Sequence, residues 1–566
     1  MTLSLVLATS FVDNRISQAA ETAPRPNIIV IMADDVGYSD IGCFGGEIET
    51  PTLDRLATQG VRLSHFYNTG RCCPTRASLL TGRYPHEVGV GHMMEDRNLP
   101  GYRGDLSLEA QTIAERLKES GYKTAVFGKW HVTRFVNPEG PKHNWPQQRG
   151  FDTVYSTIVG AGNYFDPSAL VRDNTMLTIH TDTEYPADNY YYTHAISDHA
   201  AAYVRNLHEQ GAGEPFFMYL PYTAGHWPLH APEKEIQKYI ARYEGSYEPI
   251  HSARLKKLKS LGLLPDSWQP APLARDWANV ADKPWEIRCM ATYAAMIDCM
   301  DQGIGRIVRS LEETGEIDNT LIVYLQDNGG CQEEVGRGSG GANAKNAKKK
   351  QKAAAEIQTF TKDHIMTASS PRQTRDGRPM RQGQGVMPGP EDTFIGYGHG
   401  WASVSNTPFR EFKHFTHEGG ISSACIVNYP PAHLIDLMPT FLELAGSPLG
   451  AKAPAKEGPL SRPLPGVSLV PLLAGEPVVR PQPLFWEHEG NRAIRSGDWK
   501  LVAKEKNLWE LYDLSQDRGE QVNLISREPA KAKELEAAWD RWAAENQVLP
   551  LGGFRAAAPS QPAVAK

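Results

Sequence analysis

Uninterrupted apolar runs that end in polar residues recur along the chain and predict buried strands. The first covers residues 26–35, where P-N-I-I-V-I-M-A leads into Asp34 and Asp35. Similar runs cover 124–127, 216–222, 320–326 and 422–429. Strands without polar alternation are typical of a sheet that is covered on both faces. Open α/β sheets bind ligands at the carboxyl ends of their strands, so the polar residues there are candidates for a site.

Helical patterns lie between these runs. Thr50 and Pro51 begin a short helix that Gly60 ends, and an apolar stripe at 110–117 is closed by Gly121. A long helix is predicted from Pro284 to about residue 314. Alternation of strands and helices predicts an α/β fold with a large mixed, mainly parallel sheet and helices on both faces. Residues 140–210 give no clear division into elements.

Composition shifts divide the chain into a leader, a catalytic domain and a C-terminal unit. Residues 1–24 contain a short apolar run and a possible cleavage site at Ser17-Gln18-Ala19, but they lack the basic segment with which a signal peptide begins. A weak export signal and an unstructured leader therefore both remain open. The main domain covers 25–446, with a polar insertion at 332–400. A Pro/Gly-rich linker follows at 447–483. Short strands and a helix at 484–548 predict a smaller α+β unit, and 549–566 reads as a disordered tail.

Charge and cysteine content exclude several functional classes. The 566 residues carry a net charge of −7, which gives no indication of nucleic-acid binding. No apolar segment has the length of a membrane span. Seven cysteines are too few for a disulfide scaffold in so long a chain, and they leave the redox compartment undecided. The basic run at 345–352 is interpreted as part of a solvated insertion.

Residues 71–83, R-C-C-P-T-R-A-S-L-L-T-G-R, carry the strongest chemical signal. Pro74 can open a helix, which would place Cys72 just before the N-terminus and Arg76 one turn further on. A helix N-terminus together with an arginine favours negative charge and indicates a reactive thiolate. A buried or zinc-bound cysteine pair is the alternative.

Polar residues after other predicted strands could complete such a site. Asp34-Asp35 and Asp327-Asn328 offer carboxylate and amide oxygens, the ligands of a hard cation such as Ca²⁺ or Mg²⁺, although each pair alone could be a cap or a turn. Four further candidates follow strands or lie in Gly/Pro-marked loops, and each alone could be an ordinary surface residue: Lys129, His131, His226 and Lys413.

The segment C-C-P-T-R-A-S-L-L-T-G resembles the signature of the type I sulfatases, formylglycine-dependent enzymes of the alkaline-phosphatase-like superfamily. Further blocks resemble that family in the same order: A-D-D-V-G-Y-S-D, G-K-W-H, H-W-P-L-H-A-P, Q-D-N-G-G and the segment around Lys413. The resemblance implies that Cys72 is converted to formylglycine, whose hydrate is the nucleophile. It also implies hydrolysis of sulfate monoesters, either aryl sulfates or sulfated carbohydrates.

The resemblance implies roles for the other candidates. Asp34, Asp35, Asp327 and Asn328 would bind one Ca²⁺, with Mg²⁺ as a tolerated substitute, and residue 72 as formylglycine would add an oxygen. Arg76 and Lys129 would contact the hydrated aldehyde. Lys129, His226 and Lys413 would surround the sulfate, with His226 as the acid for the departing alcohol and Asp327 placed to take the proton of the attacking hydroxyl. His131 would remove a proton from the remaining hydroxyl.

Maturation would need a formylglycine-generating enzyme as partner, and a periplasmic or secreted location is expected, with the cytoplasm as the alternative. The chain departs from the family at Tyr429-Pro430-Pro431, which joins a strand and a helix by an unusually short connection. Two other functions remain open. One is a phosphate or phosphonate monoester hydrolase of the same superfamily, and the other is a protein that binds sulfated glycans without turnover.

Overall fold

The computed structural model describes residues 25–211, 213–338, 357–427, 432–448, 458–473, 476 and 478–548. Four segments singled out above lie outside these residues. They are the leader (1–24), the basic run (345–352), the short connection (429–431) and the tail (549–566).

A mixed sheet of ten strands forms the centre of the described chain. Its strands are β1 (Asn27–Ala33), β2 (Arg62–Tyr67), β3 (Lys123–Lys129), β4 (Thr153–Thr157), β5 (Leu170–Arg172), β6 (Thr175–Met176), β7 (Phe216–Pro221), β8 (Thr320–Gln326), β9 (Ser422–Ile426) and β10 (Ala432–His433). The spatial order is β10-β2-β9-β8-β1-β7-β3-β4-β5-β6. The central strands β8, β1, β7, β3 and β4 are mutually parallel, and antiparallel pairs occur only toward the two edges.

Both faces of the sheet are buried, which explains the uninterrupted apolar runs. Ile29 and Ile31 of β1 belong to one core cluster, and Ile28 and Val30 belong to the cluster on the opposite face. Successive side chains of a strand point to opposite faces, so each face requires apolar residues of its own. The predicted α/β fold class is confirmed.

Helices cover the sheet, and short 3₁₀ turns connect several of them. The described helices are α1 (Pro51–Gln59), α2 (Cys72–Thr81), α3 (Ile113–Glu119), α4 (Tyr192–Glu209), α5 (Glu233–Gln237), α6 (Tyr247–Ser260), α7 (Lys283–Glu313), α8 (Gly398–Ser405), α9 (Glu418–Ile421), α10 (Leu437–Leu444), α11 (Val470–Leu473) and α12 (Pro529–Glu545). The long α7 packs against α4 and α1 on one face. Helix α3 begins after its N-cap residue Thr112, which forms a capping box with Glu115. The predicted apolar stripe starts two residues earlier, at Ala110, which lies outside the helix. None of the helices among the described residues combines the length and apolar character that a membrane crossing requires.

A smaller antiparallel sheet follows in the C-terminal part. Its strands pair in sequence order: β11 (Leu484–His488), β12 (Asn491–Ser496), β13 (Trp499–Ala503) and β14 (Glu510–Asp513). Helix α12 packs on β12 and β13. The Trp486 indole N–H donates to the carbonyl of Asn68 at 2.8 Å, which ties this sheet to the chain just before α2. The predicted α+β unit is therefore present and rests against the main domain.

The insertion predicted at 332–400 is only partly solvated in its described residues. Phe394 and Ile395 are buried, and α8, which overlaps its end, contributes Trp401 to the core. Glu333, near its start, reaches the region of Cys72, as described below. The expectation of a solvated surface insertion therefore fails at the end of the insertion, from residue 392 on, because polar composition does not report which side chains fold back onto the sheet.

Candidate active site

Helix α2 carries the reactive segment and is buried along its whole length. Arg71 is its extended N-cap residue, and Gly82 ends it in the left-handed conformation at φ 65°. Cys72 is the first helical residue, whereas the sequence placed it just before the helix. The hydroxyl of Thr75 donates to the carbonyl of Asp327 at 2.6 Å, which fixes the first turn of α2 against the end of β8.

Arg76 connects the ends of three strands. Its guanidinium donates from Nη1 to the carbonyl of Lys129 at 2.8 Å and from Nη2 to Asp327 Oδ2 at 2.9 Å. Asp34 Oδ2 lies 3.3 Å from the same Nη2 and also accepts from Lys129 Nζ. All four side chains are buried. Ion pairs thus bring together residues that follow or end β1, β3 and β8.

Asp35 is the centre of a second group of contacts. Its φ of 59° is unusual for a residue other than glycine. Its carboxylate accepts from Asn328 Nδ2 at 2.7 Å and from Lys413 Nζ at 2.8 Å. His226 Nε2 lies 3.5 Å from Asp35 Oδ2. This group brings the predicted lysine and histidine to the predicted cation ligands.

The two predicted histidines occupy different sides of the site. The Nδ1–H of His226 donates to the carbonyl of Trp227 at 2.6 Å in the tautomer that this contact requires, which leaves Nε2 facing Asp35. His131 has a ring nitrogen within 4.8 Å of the thiols of Cys72 and Cys73. Lys129 ends the extended strand β3, but the φ of His131 is 56°, so the extended backbone does not continue to His131. A local reversal places His131 beside Cys72.

Burial and neighbouring charges shift the pKa values of the site. Burial, with the charge of Asp327, raises the pKa of Asp34 to about 7. Burial acts to raise the pKa of Asp35 as well, but Lys413 and then His226 bring it below its usual value. A hydrogen bond from Cys73 is the largest cause that lowers the pKa of the Cys72 thiol, ahead of the charges around it. The centre therefore favours negative charge at residue 72.

The donor set fits a hard divalent cation. Asp34 Oδ1 and Asn328 Oδ1 are buried and have no hydrogen-bond partner in the part of the chain that the structure describes. Buried polar atoms without partners are rare, and these two come from separate strand ends. Together with Asp35 and Asp327, they offer only oxygen ligands, as Ca²⁺ and Mg²⁺ require.

Two contributors to the site, Glu333 and Tyr293, carry no recognisable signal in the sequence. Glu333 accepts from Arg71 Nη1 at 2.7 Å and from the Trp227 indole at 2.9 Å. It therefore joins the residue before Cys72 to the residue after His226. Tyr293 of α7 donates to the backbone carbonyl of Asp35 at 3.1 Å. A conserved position could have marked them, but a single sequence shows no conservation.

The comparisons with known proteins agree with this geometry. The family model described as Sulfatase matches residues 26–366, more than half of the chain. The chain belongs to the sulfatase family. It is a sulfuric ester hydrolase, which cleaves sulfate esters. The predicted family and activity class are confirmed, while the roles of single residues remain predictions.

Two relatives and one solved structure show the extent of the similarity. An uncharacterized sulfatase of Schizosaccharomyces pombe is 33% identical over 565 residues, 93% of this chain and 94% of that protein. An arylsulfatase of Klebsiella aerogenes is 31% identical over 448 residues, 75% of this chain and 87% of that protein. The crystal structure of Ps i-CgsB matches the fold with a TM-score of 0.61 at 24% identity, over 92% of this chain and 93% of that chain.

Proposed function

We propose that this sulfatase acts through a formylglycine made from Cys72, beside a Ca²⁺ ion held by four ligands: Asp34, Asp35, Asp327 and Asn328. One observation carries the proposal: among the described residues, the two partnerless oxygens of Asp34 and Asn328 are buried where the first turns of α2, which begins at Cys72, contact the ends of β1 and β8. The Cys72 side chain occupies the place that the aldehyde would take. A hydrated aldehyde supplies the nucleophilic hydroxyl, and the cation offsets negative charge on the sulfate.

The chain's own cations prepare this centre. Arg76 donates to Asp327 and lies against Asp34. Its positive charge offsets the repulsion between these two carboxylates and holds them in place. Lys129 and Lys413 are buried, and each ammonium group pairs with one carboxylate, Asp34 or Asp35. The other N–H groups of each ammonium would donate to sulfate oxygens. Fixed donors in a site without water stabilise developing charge more strongly than mobile ones in solvent.

The two histidines divide the proton transfers. His131, beside residue 72, accepts a proton from that side chain when sulfate is released. Burial lowers the pKa of His131 to about 4, so the ring is neutral and able to act as a base. Once protonated at both ring nitrogens, His226 gives its Nε2 proton to the departing alcohol and returns to the neutral form, while its Nδ1–H donates to the Trp227 carbonyl. Lys413 supports it through the shared partner Asp35.

The substrate class, maturation and location belong to the same proposal. Similarity to a protein named arylsulfatase supports aryl sulfates, and sulfated carbohydrates are the second class to test. Formation of the aldehyde requires a formylglycine-generating enzyme in the host. We propose a periplasmic or secreted location, which the short apolar run and the Ser17-Gln18-Ala19 cleavage candidate in residues 1–24 support.

Peptide mass spectrometry of active enzyme tests the central step. We expect an aldehyde at residue 72 and a thiol at Cys73, the neighbouring control position. A Cys72→Ala variant should bind Ca²⁺ with little change in fold but turn over neither 4-nitrophenyl sulfate nor a sulfated sugar. Fully active protein with thiols at both positions would overturn the formylglycine proposal.

A further inference from the structure

A second cluster of metal-ligand side chains lies outside the active site, where the main domain meets the C-terminal sheet. His92 belongs to the loop region after α2, His488 is the last residue of β11, and Glu489 lies in the turn to β12. One ligand atom from each residue lies within 4.8 Å of the others. The three come from segments almost 400 residues apart in the chain, so only the folded protein assembles them.

The distances suit a tetrahedral ion. Glu489 Oε1 lies 3.1 Å from His92 Nδ1 and 3.9 Å from His488 Nε2. Ligands at zinc bond lengths in a tetrahedral site are separated by about 3.3 Å. The observed separations lie on either side of this value, so small side-chain movements would close the site around an ion.

His488 supplies the independent sign of a missing ligand. Its side chain is fully buried, and neither ring nitrogen has a hydrogen-bond partner within the described ranges. An imidazole without either partner leaves a buried polar group unsatisfied, which costs free energy of folding. A bound metal ion would satisfy one of the two nitrogens.

The carboxylate of Glu489 is held in place by a third histidine. His414 Nδ1 lies 3.4 Å from Glu489 Oε2, and His414 Nε2 lies 3.2 Å from Asn491 Nδ2. If Asn491 donates to Nε2, the proton of His414 is on Nδ1 and points to the glutamate. Outer contacts of this kind orient metal ligands. Glu489 keeps a fifth of its side chain exposed, which gives an ion a way in.

We propose that His92, His488 and Glu489 form a second metal site that takes a borderline divalent ion, Zn²⁺ in the first place. Two imidazoles and one carboxylate are a zinc ligand set, whereas the active-site ligands are all oxygens and suit a hard cation. Water would take the fourth position. The two sites therefore select different metals.

A metal ion at this site would link helix α2, which begins at Cys72, to the C-terminal sheet. The sulfur of Cys73, next to the nucleophile position, lies 3.5 Å from the carbonyl oxygen of His92. Zn²⁺ at His92 would thus join the backbone beside α2 to the end of β11. This function is structural and requires no part of the proposed chemistry at residue 72.

Metal binding in solution tests the proposal. The probe is Zn²⁺, and Co²⁺ serves as an optical substitute, added to Ca²⁺-saturated full-length protein in a Cys72→Ala background. That background removes a thiol that could itself bind Zn²⁺ with Cys73 and His131, so the result does not depend on formylglycine. We expect one Zn²⁺ per chain to remain after gel filtration and Co²⁺ to give the visible spectrum of a tetrahedral site.

His488→Asn and Glu489→Gln should each weaken Zn²⁺ binding by at least about tenfold. His417→Asn is the matched control, because His417 is also fully buried, lacks a hydrogen-bond partner for either ring nitrogen within the described residues and lies 3.8 Å from Glu510. It should bind Zn²⁺ like the parent. If the parent retains no Zn²⁺, or if Glu489→Gln retains as much as the parent, the proposal is wrong. Glu489 is partly exposed, so its variant remains informative even if His488→Asn fails to fold.

Discussion

Substitution of His226 separates proton donation from sulfate binding. The hydrogen bond from Nδ1 to the Trp227 carbonyl, 2.6 Å long, fixes the ring, so that only Nε2 faces the site. His226→Ala removes both nitrogens. His226→Gln keeps an N–H group near the position of Nε2, which can still bind a sulfate oxygen but cannot act as an acid at neutral pH. The pair of variants therefore distinguishes the two roles.

The size of the effect depends on the leaving group. General acid catalysis contributes ~10²–10⁴-fold, which corresponds to roughly 3–5 kcal/mol of barrier at ~1.4 kcal/mol per decade. An alkoxide from a sugar sulfate requires that proton, whereas nitrophenolate departs without it. His226→Gln should therefore lose most of this factor on a sugar sulfate and little on 4-nitrophenyl sulfate.

The assay is kcat/KM for both esters, because it reports the first irreversible step, in which the ester bond breaks. Arg76→Ala is the comparison variant. Its guanidinium touches Asp34 and Asp327 rather than the leaving group, so both esters should slow alike. Unchanged thermal unfolding of the His226 variants would exclude a folding defect. Equal slowing of both esters by His226→Gln would refute the role of His226 as the acid.

Two further predictions concern the cation and the C-terminal junction. Removal of Ca²⁺ by a chelator should abolish turnover, and added Ca²⁺ should restore it in the parent but far less in Asn328→Ala, as measured by activity and elemental analysis. Glu418→Gln should lower the free energy of unfolding by about 3–5 kcal/mol in urea at pH 7, because Lys500 at 2.9 Å and Arg518 at 3.1 Å would lose a buried partner. Burial acts to raise the pKa of Glu418, but Lys500 and Arg518 lower it to about 2. This stabilisation is therefore complete above the unfolded pKa of about 4.5 and is lost as the pH falls toward 2, where the variant and the parent should converge.

Buried strands could be predicted from the sequence, because a doubly covered sheet leaves a plain apolar run. The predicted run 320–326 coincides with β8, and the run at 216–222 matches β7 to within one residue. Helix α4 (Tyr192–Glu209) was not predicted. Its inward positions are mainly alanine, serine and tyrosine, so its apolar stripe is weak, and it depends on packing against α7.

The candidate site could be predicted as far as its motifs extend. Most predicted residues end or follow a strand or lie in the first turns of α2, and the fold brings these ends together with Lys413, which lies in a loop. Glu333 could not be predicted, because its contact with Arg71 joins positions 262 residues apart and depends on how the insertion folds back. The φ of 56° at His131 was also beyond prediction, since histidine favours no left-handed turn strongly enough to mark one.

The balance of charges in the centre indicates that the site can fold before a metal ion binds. Three buried carboxylates face three buried side-chain cations, so the set is formally neutral before any metal binds: Asp34, Asp35 and Asp327 with Arg76, Lys129 and Lys413. These ion pairs hold the strand ends together without a metal. A divalent cation would add two positive charges, more than the single negative charge of a sulfate monoester, and the excess favours the negative charge that develops in the transition state. The proposed Ca²⁺ would therefore serve binding and turnover more than assembly of the site, and its removal should cost activity at a concentration of chelator that leaves the fold intact.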